Sequence, residues 1–86
     1  MSITFFIAYT NKIMEFSGND IEYRFNNDTG LFFIQITEDK STEDMVVIEV
    51  TTYTIPYDNI EDLVINGKKV ILIRRKRYEI HNDTNY

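Results

Sequence analysis

Leu63-Val64-Ile65-Asn66-Gly67-Lys68-Lys69-Val70-Ile71-Leu72-Ile73 decides the fold class. Asn-Gly between two β-branched runs is the strongest short-range hairpin signal a sequence can carry, because both central residues of a type I′ turn need φ > 0. The spacing therefore predicts a tight turn at 66–67 with a strand on either side. Residues 70–73 are continuously apolar, which predicts a central strand buried on both faces.

Working outward, the same period of two recurs. Val46, Ile48, Val50 and Thr52 share one face of a strand, and Val47, Glu49, Thr51, Tyr53 and Ile55 share the other. Ile21, Tyr23 and Phe25 alternate with Glu22 and Arg24, and Phe32, Ile34 and Ile36 alternate with Phe33 and Gln35. The polar loop Asn26-Asn27-Asp28-Thr29-Gly30 joins these two runs, with Gly30 supplying a positive φ. An N-terminal hairpin of strands 3–9 and 12–16 is predicted around Asn11, ended by Ser17-Gly18-Asn19-Asp20. Glu38 to Asp44 reads as a solvated loop, with a short turn at Ser41–Asp44. Pro56 to Asp62 reads as one helical turn with Pro near its first position and acids at its start.

The expectation is a mostly β chain. It should form a single small antiparallel β-barrel or strongly curved sheet of six to seven strands in meander order, with at most one or two short helical turns. One domain spans 1–80, and 81–86 is a polar C-terminal tail. An 86-residue chain has room for one domain. It has no cysteine, which excludes disulfides, thiolate metal sites and cysteine nucleophiles. The first ten residues have no basic leader and no long apolar stretch, so a cytoplasmic location without a membrane span is expected.

Charge is distributed unevenly. Residues 1–67 hold three basic side chains against twelve acidic ones, whereas residues 68–86 hold six basic against two acidic. Two acidic clusters stand out as partner-binding candidates: Glu38, Asp39, Glu43 and Asp44, then Asp58, Glu61 and Asp62. Spaced carboxylates on a compact β domain can imitate the phosphates of nucleic acid and steer a cationic partner. The plainer reading is a solvated loop and a helix start. The basic candidates are Arg74, Arg75, Lys76 and Arg77, with Tyr78 beside them. They suit phosphates and base stacking, or they guard a strand edge. The sequence pI of about 4.7 weighs against a nucleic-acid-binding domain.

Catalysis is not expected. His81, the one histidine, sits in the tail, and Ser2, Ser17 and Ser41 have no elbow motif. Asp58-Asn59-Ile60-Glu61-Asp62 lacks the alternation and glycine of a calcium loop. No metal and no cofactor is expected. The aromatic pairs Phe5-Phe6 and Phe32-Phe33 each put one ring on each face of a strand, so some rings must cover a second layer, a dimer interface or a partner.

Tyr53 to Arg74, with its Ile-Pro-Tyr-Asp-Asn-Ile phrase before a hairpin, resembles the hairpin region of PH-like and LytTR-type β domains. The resemblance covers about a quarter of the chain and carries no functional residue across. In size, acidity and lack of motifs the chain is similar to small phage-encoded inhibitors, including anti-CRISPR proteins and other counter-defence factors. That resemblance implies a stoichiometric inhibitor of a host protein, a nucleic-acid-binding one included, working by occlusion or acidic mimicry. Direct nucleic-acid binding through 74–78 and self-assembly, as a homodimer or a structural subunit, are the alternatives.

Overall fold

A computed structural model describes residues 1–73 of the chain. Seven strands alternate with turns: β1 (Ser2–Ile7), β2 (Ile13–Ser17), β3 (Ile21–Asn26), β4 (Leu31–Asp39), β5 (Ile48–Pro56), β6 (Ile60–Ile65) and β7 (Lys68–Lys69). A single 3₁₀ turn, Tyr57–Asn59, links β5 to β6. The chain is thus mostly β, and every ladder among the described residues is antiparallel.

The strands form two sheets, ordered β2-β1-β6-β7 and β3-β4-β5. No ladder among the described residues joins them. The expected meander is corrected at β1, which pairs with β2 on one side and with β6 on the other. Asn66 and Gly67 take φ of 51° and 78°, as a type I′ turn requires. The Asn66 side chain also accepts a hydrogen bond from the Ser2 backbone N–H at 2.9 Å, tying the turn to the chain start.

Alternation places the core between the sheets. Ile3 and Phe5 from the first sheet meet Phe32 and Ile34 from the second, all fully buried. Phe5 packs edge-on to Phe32 with centroids 6.4 Å apart, and Phe16 meets Tyr53 at 5.0 Å. Phe25 stacks on Phe32 at 4.8 Å. Tyr57, buried in the 3₁₀ turn, donates from its hydroxyl to Asn27 Oδ1 at 2.9 Å, and its N–H donates to the Gly30 carbonyl. Both bonds clamp the β3–β4 loop, and burial pushes the Tyr57 hydroxyl pKa up from its ordinary value.

Two expectations are corrected along β6 and β7. The helical reading of 56–62 holds only for residues 57–59; Glu61 and Asp62 belong to β6. Asp62 takes φ 53°, and the β1–β6 register shifts between Thr4 and Phe6. The extra residue of this bulge lets Ile60 and Leu63, three apart, both turn inward. Residues 70–73 are not a central strand. Val70 still donates to the Leu63 carbonyl, but β7 ends at Lys69. Val70 and Leu72 pack on the core, while Ile71 and Ile73 are 66% and 80% exposed.

Candidate functional site: a ribbon arm and a free strand edge

β4 and β5 pair along their whole lengths, from Leu31↔Pro56 to Asp39↔Ile48. The strand β3 covers β4 as far as Ile21↔Ile36, and one further bond runs from the Thr37 N–H to the Asp20 carbonyl at 3.0 Å. Beyond that point β4 and β5 continue alone. The pairing also runs past the ends of the strands, because Lys40 N–H donates to the Val47 carbonyl and Thr42 N–H to the Met45 carbonyl in the same register. The expected loop at 38–44 is therefore one side of a hairpin that turns at Glu43-Asp44. Residues 37–50 form a ribbon, about 20 Å long at ~3.3 Å per residue, with no third strand beyond Thr37 among the described residues.

The two sides of this arm differ in chemistry. Its outgoing side carries Glu38, Asp39, Glu43 and Asp44, and its returning side carries Met45, Val46, Ile48 and Val50, all exposed, with Val46 at 85%. The arm holds five acids and one base. That base, Lys40, bridges to Glu49 at 2.8 Å on the arm's surface. Hydrogen bonding and attraction between the two raise the Lys40 pKa and lower that of Glu49. Asp39 is also held below the ordinary carboxylate range, because it accepts hydrogen bonds from Ser41, including one from the backbone N–H at 2.9 Å.

The edge of β5 is a second feature. In the sheet order β3-β4-β5, this strand has a neighbour on one side only among the described residues. The bond into the Val47 carbonyl fixes which residues face β4. Antiparallel ladders alternate, so the odd-numbered residues of β5 bond to β4. The even-numbered residues 46–54 turn their N–H and C=O groups to the open edge. Pro56 has no N–H to offer and ends that edge. The other edge strands carry charge and are short: Glu15 on β2, Glu22 and Arg24 on β3, and two lysines on β7. On the nine residues of β5 the only charge is Glu49, and Lys40 neutralises it. Short length and charge are the usual devices that keep edges from pairing.

The remaining sites fall elsewhere. The acids of 38–44 come together on the arm. Asp58 lies in the 3₁₀ turn after the far end of β5, and Glu61 and Asp62 lie on β6. Asp44 and Pro56 are separated by roughly 40 Å of extended chain at ~3.3 Å per residue, so the two acidic clusters do not share a surface. Arg74, Arg75, Lys76, Arg77, Tyr78 and His81 lie outside the described residues. The paired aromatics divide as expected: Phe5 and Phe32 are buried, while Phe6 is exposed and Phe33 is half-covered by the Arg24 guanidinium, 4.7 Å from its ring centre. Among the described residues, no group of His, Asp or Glu is placed to hold a metal, and no helix is long and apolar enough to cross a membrane.

Fold and site together define a two-sheet antiparallel β domain with an acidic and apolar hairpin arm. No model of a known protein family, no curated protein and no solved structure matches the chain.

Proposed function

We propose that the chain is a non-enzymatic protein-binding module whose working surface is the arm 37–50 together with the free edge of β5. The observation that carries this reading is the chemistry of the arm. A two-stranded ribbon is marginal in water without a further layer, and this one leaves Met45, Val46, Ile48 and Val50 exposed beside four acids. An added partner strand would bond to the edge backbone, cover the apolar side chains and be steered by the carboxylates. As a stoichiometric inhibitor of a host protein, in the manner of small phage-encoded inhibitors, the chain would act by occlusion. Mimicry of nucleic acid fits less well, because the acids at 58–62 stand away from those at 38–44.

Affinity capture from bacterial lysate tests this reading, run with and without nuclease and at two salt concentrations. The wild type is compared with the charge-reversed arm Glu38→Lys, Glu43→Lys, Asp44→Lys. A protein captured in stoichiometric amount, resistant to nuclease and lost with the reversed arm, is the expected result. Recovery of nucleic acid alone would transfer the function to the basic residues 74–78, and an equal yield from both baits would remove the arm from the binding surface.

A further inference from the structure

Among the described residues the edge at β7 is also unfilled, and it complements that of β5. Just past β7 the Val70 N–H donates to the Leu63 carbonyl of β6. By the same alternation, Lys69 turns its backbone groups away from β6, toward the open side of that sheet, and a strand continued in register would turn those of Ile71 and Ile73 the same way. Ile71 and Ile73 are also the exposed side chains of this segment. Residues 68–77 contain six basic side chains and no acid. Each molecule thus carries an acidic edge with exposed β-branched side chains and, at Lys68 and Lys69, a basic edge followed by the exposed Ile71 and Ile73, with four more basic residues next in the sequence.

We propose that the β5 edge of one molecule takes the segment beginning at Lys68 of a second copy as an added strand. The inference rests on the same edge as the binding reading and names its occupant in the absence of another partner. Charge selects this pairing. Two β5 edges brought together would join two arms of like charge, and two 68–77 segments would do the same with positive charge. The mixed pair sets lysine and arginine beside Glu38, Asp39, Glu43 and Asp44. It also brings Ile71 and Ile73 against the Ile48 and Val50 side of β5, removing from water apolar groups that each molecule alone exposes. The two edges are different surfaces, so the contact is head-to-tail. It leaves one edge of each kind free at the ends and grows into rings or open chains rather than closed dimers.

The test is the mass of the full chain by light scattering across a range of protein and salt concentrations. The wild type should rise in mass with concentration at low salt and return toward monomer at high salt. Val50→Pro removes an N–H from the open edge and none from the β4 ladder. Ile48→Lys keeps every backbone group and places a positive charge on the edge, where it meets the basic segment. Both variants should stay monomeric at concentrations that assemble the wild type, with β-sheet circular dichroism unchanged. A synthetic peptide of residues 68–78 should compete with assembly. A wild type that stays monomeric throughout overturns the proposal, as does assembly that survives Ile48→Lys. Neither of those results touches the binding of other proteins by the arm, which the capture experiment reads separately.

Discussion

Between the two sheets, Phe5, Phe16, Phe32 and Tyr53 hold one another at ring distances of 5.0 to 6.4 Å. On the arm, Met45, Val46, Ile48 and Val50 lie at the surface. Both regions are rich in strand-forming residues, and their backbone pairing is equally regular. They differ in layers. In the body the inner apolar face of each sheet meets the other sheet, so alternation becomes burial there. Along 37–50 the second layer is missing, so the same alternation becomes an exposed surface. Burial of apolar area dominates folding, and the stability of this chain therefore resides in the body. The arm is the region a partner can change.

The comparison breaks first at Phe32. Phe32→Ala should destabilise the fold by about 3–5 kcal/mol, the range for an aromatic ring removed from a core, whereas Val46→Ala should stay within about 0.5 kcal/mol, as for other exposed sites. Urea denaturation of the two variants reads both values. Equal losses would mean that the arm belongs to the core.

Smaller effects sharpen the boundary. Tyr57→Phe removes the hydroxyl that donates to Asn27 and should cost about 1 kcal/mol. The loss should appear in the same unfolding curve and as faster hydrogen exchange in the β3–β4 loop. Acid should act mainly on the arm. Glu49 and Asp39 have lowered pKa values in the folded chain, so their contribution is present above their unfolded values and is lost as pH falls through the folded ones. Both are exposed, so the effect on global stability is small. Protection of the 40–47 amides, followed by NMR across the carboxylate range, should fall before that of 32–36.

The local part of this architecture was legible in the sequence. Asn66-Gly67 announced its turn, because few other residue pairs accept two positive φ values. The alternation in 32–36 announced that Phe32, Ile34 and Ile36 share a face, which is the core face, whereas in 46–55 it showed two faces without telling which turns inward. The paired phenylalanines announced that both strand faces would need cover. What was not legible depends on long-range pairing. Nothing local in Ile3 or Ile65 says that β1 and β6 are neighbours. Glu38 to Asp44 read as a loop because its side chains are polar, yet its backbone keeps the hairpin register. Val70 to Ile73 read as a buried strand because it is apolar, yet a strand is central only if partners flank it. The bulge at Asp62 hid Glu61 and Asp62 inside an apparent helical turn. The acidic cluster at 38–44 was found from composition, but its apolar companion surface needed the register of β5 against β4.

Amide hydrogen exchange along β5, resolved by residue in a dilute monomeric sample at low salt, tests the open edge most directly. Thr51, Tyr53 and Ile55 should exchange slowly, while Ile48, Val50, Thr52 and Thr54 exchange quickly, and the fast set should become protected once a strand is added. Slow exchange at both odd and even positions in the dilute monomer would show the β5 edge already covered and would contradict the account.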